Sequence, residues 1–152
     1  MKYLKSVSRW TLLILLMFVG LVLGPGKLMA NEVLHIEGTW TITSFEVIGD
    51  ELIQYADYEG FLVGTSVAHL VTQFQDRNFA SFSASGTEVF TVAGGGLSGT
   101  ITLDEGINAP RHGYGKVING TGDFAGAEGM VQFQAFPPDF LTGTYKGIIV
   151  LD

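Results

Sequence analysis

The 152-residue chain contains no cysteine. Disulfides, thiolate nucleophiles, thiolate zinc sites and a lipid-modified cysteine are therefore excluded. Basic residues are also few: 8 Lys and Arg stand against 15 Asp and Glu, and Lys2, Lys5, Arg9 and Lys27 all lie in the first thirty positions. From residue 31 onward, Arg77, Arg111, Lys116 and Lys146 face all 15 acids, a net charge of −11. Such a surface repels phosphate backbones and carries no basic patch interleaved with aromatics, so nucleic acid is not expected as a partner. Runs of Ala, Leu, Glu and Lys at helical period are missing too, and helix is expected to be scarce.

The N-terminus has its own character. Met1 to Arg9 carry three cations, and Trp10 to Leu23 form a 14-residue apolar run broken by Gly24, Pro25 and Gly26. That is the layout of a signal peptide. A spanning helix needs about 20 apolar residues, so the run is short for an anchor. Ala30 supplies a small residue for cleavage, although Leu28 is bulkier than usual at its position. The expectation is a signal peptide over 1–30, cleaved or retained as an anchor, and an exported domain over 31–152, secreted or periplasmic. In the retained case that segment is the domain's link to a membrane. Without disulfides, such a domain holds together by its core and its hydrogen-bond ladders, which favours a closed sheet.

Glycine is abundant: 18 of the 21 lie after residue 30. Between them run segments rich in Thr, Val, Ile and Phe, the pattern of short strands separated by turns. Strands are expected over His35–Ile48, Gly60–Asp76, Asn78–Val92, Leu97–Asp104, Gly113–Ile118, Gly129–Phe136 and Gly143–Leu151. Thr39 to Thr43 alternates with period two, but Phe45 and Val47 continue the apolar series on the other parity, so a bulge is expected near Ser44. Ala93-Gly94-Gly95-Gly96 and Asp76-Arg77-Asn78 read as tight turns, and Ala135 to Phe140, with paired prolines, as a rim loop. The acidic, aromatic stretch Asp50 to Glu59 does not alternate and reads as a loop or short helix over one barrel end, a lid. An antiparallel meander closing into a barrel fits these features best, because closure removes exposed edges.

Glu37-Gly38-Thr39-Trp40-Thr41-Ile42-Thr43-Ser44-Phe45, Gly64-Thr65-Ser66, Ala80-Ser81-Phe82, Glu88-Val89-Phe90, Ser98-Gly99-Thr100, Gly120-Thr121-Gly122-Asp123-Phe124-Ala125-Gly126 and Gly143-Thr144-Tyr145 span nearly all of the chain after residue 30. Together they resemble the bacterial uncharacterised families of the allene oxide cyclase-like, or dirigent-like, barrel superfamily. The Gly-Thr-Gly-Asp-Phe-Ala-Gly segment is the most specific part. The resemblance implies an all-β fold, a single antiparallel eight-stranded calyx open at one end, with an apolar interior for a hydrophobic small molecule. It also implies cofactor-free cyclases, isomerases or coupling guides as functional relatives, and homo-oligomers formed through outer barrel faces. One departure stands out. Where bacterial relatives tend to carry an acid after Gly-Thr-Ser-x-Ala, this chain has His69, while the Glu of the next strand is kept as Glu88. A paired-carboxylate site is thereby placed in doubt and a Glu/His pair takes its place.

Candidate catalytic residues are therefore Glu88 and His69. A carboxylate bonded to an imidazole in an apolar cavity is a usable general acid/base, since burial raises the carboxyl pKa and the partner sets the tautomer. Strand parity leaves their orientation open, and the alternative is a ladder-satisfied His69 with a solvated Glu88. A second set, Arg111, His112 and Tyr114, would sit at the calyx mouth, where Arg offers a planar fork to a ligand carboxylate or enolate. The alternative there is a solvated loop. Trp40, Tyr55, Phe82, Phe90 and Phe133, with Gln73 and Tyr145 as polar handles, are the expected ligand-binding walls, set against plain core filling. The Gly120–Gly129 turn lacks the strand-loop-helix context of a phosphate loop, and Asp123 is read as capping it. His35, His69 and His112 have no ligand-like spacing, so no metal is expected. No cofactor is expected, and the absence of Gly-x-Ser-x-Gly argues against a hydrolase. Two readings result: an exported cofactor-free isomerase or cyclase acting on a hydrophobic small molecule, or a carrier that sequesters an apolar metabolite or lipid without chemistry.

Overall fold

The computed structural model describes residues 31–75, 82–108 and 112–152. The signal-peptide reading of Met1–Ala30, the Asp76-Arg77-Asn78 turn and Arg111 lie outside them. Eight strands follow one another in chain order: β1 (Glu32–Ile48), β2 (Glu51–Gly60), β3 (Gly64–Gln75), β4 (Phe82–Gly94), β5 (Leu97–Asn108), β6 (His112–Gly122), β7 (Glu128–Ala135) and β8 (Thr142–Leu151). Each pairs antiparallel with the next, and β8 returns to β1 to close the barrel. Every strand thus has a ladder partner on both sides and the sheet has no free edge, which answers the absence of disulfides.

Period two decides what faces inward. Along β5, Ile101, Leu103 and Glu105 are buried while Asp104 is exposed. On β1, the expected irregularity is present: the register shifts between Ile42 and Ser44. This bulge turns both apolar series to the same side, so Trp40 and Ile42 below it and Phe45 and Val47 above it all line one cavity. Two further shifts lie in the β3–β4 ladder between Thr72 and Phe74 and in the β5–β6 ladder between Thr102 and Leu103, where the extra residue is Ile118 of β6.

The segment expected to form a lid is instead strand β2, joined to β1 by the two-residue turn Gly49-Asp50. Gly49 has φ = 68°, the left-handed conformation a tight hairpin needs. The alternation failed as a signal here because the inward residues are mixed, Leu52, Gln54, Ala56 and Tyr58. Their outward neighbours Ile53 and Tyr55 are themselves half-buried, so neither face of the strand is purely polar. The strands β5 and β6 also run past their expected ends, to Asn108 and Gly122.

The two ends of the barrel differ. At the end carrying the β2–β3, β4–β5 and β6–β7 connections, Leu62 and Phe124 fold inward over Ile36, Val92, Ile101 and Ile149 and plug the lumen. The Tyr145 hydroxyl accepts the Leu62 N–H at 2.8 Å and faces the Glu59 and Leu62 carbonyl oxygens, both at 3.3 Å, so the plugging loop is held from inside. Tyr145 is therefore a structural anchor of the closed end, not a ligand handle. Asp123 accepts the Ser98 N–H at 2.8 Å and the Ser98 hydroxyl at 3.2 Å, tying the β6–β7 turn to the start of β5. At the opposite end the lumen stays open.

Candidate functional site

The open end leads into a cavity of about 470 Å³. Phe45, Val47 and Leu52 form part of its mouth with Phe140 and Leu141 of the β7–β8 loop. Trp40, Ala56, Tyr58 and Phe133 form its walls. Beneath them the Tyr58 ring meets Phe90 edge-on with centroids 4.5 Å apart, and Phe90 stacks on Phe133 at 6.4 Å, so the floor is a packed aromatic layer.

Two acids break this apolar surface. Glu88 on β4 and Glu105 on β5 are only 4% and 7% exposed, and both line the cavity. Glu88 Oε1 accepts two hydrogen bonds, from the Ser66 hydroxyl of β3 at 2.6 Å and the Tyr58 hydroxyl of β2 at 3.0 Å. Burial raises the Glu88 carboxyl to about 7, and these two donors restrain the rise. Glu105 is pushed well above the usual carboxylate range by burial first and the neighbouring Glu88 charge second. Its Oε2 is buried without a hydrogen-bond partner. Tyr58 is likewise driven upward, chiefly by burial and then by the Glu88 charge, which keeps its hydroxyl protonated as a donor.

Near pH 7 Glu88 is therefore balanced between its two forms, while Glu105 beside it is held towards its protonated form. A carboxyl poised near the operating pH can serve as a general acid or base. Among the described residues, no group of three or more His, Asp or Glu is placed to hold a metal.

The sequence-based site residues scatter relative to this cavity. Trp40 and Phe133 line it, and Phe90 packs against Tyr58 and Phe133 behind that lining. Glu88 lies in the lumen, but His69 does not join it. In the β3–β4 ladder Ala68 pairs with Glu88 and His69 with Thr87, so the two side chains point to opposite faces. His69 is on the outside, its side chain 54% exposed, with Nδ1 3.0 Å from Glu51 Oε1. The Glu/His pair is replaced by a Glu/Glu pair. Tyr55 points outward, between the lumen-facing Gln54 and Ala56. Gln73 is also on the outer side, bonded to the Ser85 hydroxyl at 2.7 Å. Tyr114, 52% exposed, covers Gly106 from outside. Of the expected mouth set, His112 reaches the cavity while Arg111 lies outside the described residues. Phe82 opens β4 opposite Gln75.

Glu105 was missed. Its signal was in the sequence all the same, because the inward series Ile101, Leu103 continues with unbroken parity to Glu105 and Ile107.

No family model and no curated protein matches the sequence. Among solved structures, a protein of unknown function of the DUF3224 family from Shewanella oneidensis superposes with a TM-score of 0.61 at 14% identity, over 80% of this chain and 99% of that one. The pterocarpan synthase dirigent protein GePTS1 gives 0.63 at 11% identity over 82% of this chain and 87% of that one. A second pterocarpan synthase dirigent protein, PsPTS1, gives 0.60 at 14% identity over 78% and 94%. At these identities the likeness is one of fold: the eight-stranded barrel resembles those of the DUF3224 protein and the two dirigent proteins.

Proposed function

We propose that the barrel binds a hydrophobic small molecule in its open lumen and catalyses a cofactor-free isomerisation or cyclisation by proton transfer between Glu88, Glu105 and the ligand. The observation that carries this reading is the pair of buried carboxyls in a cavity otherwise walled by aromatic and aliphatic side chains. A mere container needs no such pair, since each buried acid costs stability unless it is used or compensated.

In this reading Glu88, steered by Ser66 and Tyr58, removes a proton from the bound molecule. Glu105, held towards its protonated form by burial, returns one to another atom, and the proton gained by Glu88 then passes to Glu105 to restore the pair, so the exchange is balanced and requires no oxidant. Confinement by the aromatic walls holds a flexible ligand near its reactive conformer. Two of the similar folds are pterocarpan synthase dirigent proteins, which supports reading the barrel as one that can host a synthase activity. The signal-peptide layout of residues 1–30 supports an activity outside the cytoplasm.

The test is native mass spectrometry of the protein from its own host, with extraction of whatever small molecule comes with it. Turnover of that molecule by the wild type, lost in Glu88→Gln and in Glu105→Gln at ligand concentrations that saturate each variant, supports the reading. A ligand returned unchanged after incubation moves the assignment to a carrier.

A further inference from the structure

We propose that the molecule taken up by the lumen is an apolar amine, held as an ammonium ion against Glu105 with Glu88 beside it. This rests on the reading of the cavity as a ligand site and names the class of ligand.

Glu105 Oε2 is the first reason. It is a buried acceptor on the cavity wall with no donor among the described residues. An unpaired acceptor of this kind costs about 1–3 kcal/mol, more if charged, and a ligand N–H removes that cost. The second reason is the surrounding charge. The ionisable groups lining the same cavity are Tyr58 from β2, Glu88 from β4, His112 from β6 and Asp139 from the β7–β8 loop. Among the described lining residues there is neither Lys nor Arg, and His112 sits exposed at the mouth. A ligand carboxylate would meet two buried acids and, among the described lining residues, no Lys or Arg to balance it.

The walls supply the third reason. Trp40, Tyr58, Phe133 and Phe140 present aromatic surface to the lumen, and ring faces attract cations. The −11 charge of residues 31–152 adds a long-range pull on cations towards the barrel.

Two carboxyls that share one proton carry one negative charge, and one ammonium ion balances it. The ammonium also favours the ionised form of Glu88, so protons held by Glu88 at pH 7 leave to solvent and Glu88 is available as the base, while Glu105 accepts the ammonium N–H through Oε2 and remains the acid.

The experiment is calorimetric titration of the full chain at pH 7 with three probes sharing one skeleton: 1-naphthylmethylamine, 1-naphthalenemethanol and 1-naphthoate. Each is run in phosphate and in Tris, whose different ionisation heats count protons. The expected result is an amine bound at least tenfold tighter than the alcohol, a net release of protons on amine binding and none on alcohol binding, and no binding of naphthoate. In Glu105→Gln the amine falls to the alcohol's affinity while the alcohol is unchanged, which separates lost charge from a lost fold. An alcohol bound as well as the amine, or binding of naphthoate, overturns the amine assignment and leaves the cavity as a ligand site. Failure of all three probes overturns both readings.

Discussion

Glu105 stands one diagonal step from Glu88 across the β4–β5 ladder, where Glu88 pairs with Leu103 and Glu105 pairs with Gly86. Diagonal neighbours on one face lie within reach of long side chains. Because its direct partner is a glycine, Glu105 has no β4 side chain opposite it and its carboxyl shares the space beside Glu88. Gly86 is bare for a reason of its own: a Cβ there would collide with the His69 backbone carbonyl of β3. A close backbone approach between β3 and β4 thus opens the gap in which two acids meet.

This meeting sets the pH dependence of stability. The Glu88 carboxyl is raised from 4.5 to about 7 by burial. Between those values the folded protein keeps a proton that the unfolded chain releases, so stability falls as pH rises through the window and levels off above it. Each pH unit between the two values is worth about 1.4 kcal/mol, so Glu88 alone removes about 3 kcal/mol at pH 7.5 relative to pH 4.5. Glu105 acts in the same direction. Thermal unfolding followed by circular dichroism is expected to show a midpoint several degrees higher at pH 5 than at pH 7.5. The Glu88→Gln/Glu105→Gln double variant should lose most of that difference and gain stability at pH 7.5. An unchanged pH slope in the double variant would place its origin elsewhere.

The donors around Glu88 can be separated from one another. Both bonds favour the ionised carboxyl, with Ser66 counting for more than Tyr58. A hydrogen bond to a charged group is worth about 1.5–3 kcal/mol. Ser66→Ala and Tyr58→Phe should therefore each move the Glu88 titration upward from about 7, by about one pH unit or more, with Ser66→Ala moving it further. Carbon-detected NMR of the glutamate carboxyls reads this directly. A downward displacement in either variant contradicts the hydrogen-bond assignment.

His69 offers the contrasting case. Its contact with Glu51 lies in solvent, with side-chain exposures of 54% and 43%. Surface pairs of this kind contribute about 0–1 kcal/mol. His69→Ala is expected to leave the denaturation midpoint nearly unchanged and to bind lumen ligands like the wild type. A loss of binding comparable to that of Glu105→Gln would refute the outward placement.

The sequence carried the barrel in its glycine-punctuated alternation, and the bulge near Ser44 was readable from the switch in parity between Ile42 and Phe45. Three things were obscured for physical reasons. In β2, Gln54 faces the lumen and Ile53 and Tyr55 face outward, so hydropathy does not track the pleat. The orientation of His69 depends on the β3–β4 register, which is fixed by cross-strand partners such as Ala68–Glu88 that no local pattern reveals. Glu105 was hidden by the habit of ending a strand at its first adjacent charges, Asp104-Glu105, although only Asp104 is exposed. A charge on the buried parity is itself the signal of a site.

Tyr145 tests whether the plugged end and the site are independent. Its hydroxyl holds the buried Leu62 N–H at 2.8 Å. Its ring also sits 5.5 Å from that of Tyr58, the donor to Glu88. Tyr145→Phe keeps the ring and leaves the Leu62 N–H without its partner, a loss of about 1–3 kcal/mol. Chemical denaturation should show that loss as a lower midpoint with an unchanged slope. Because the ring that packs on Tyr58 is retained, the Glu88 titration should stay where it is. A titration displaced in Tyr145→Phe would mean that the closed end of the barrel governs the acid pair, and that the plug belongs to the site.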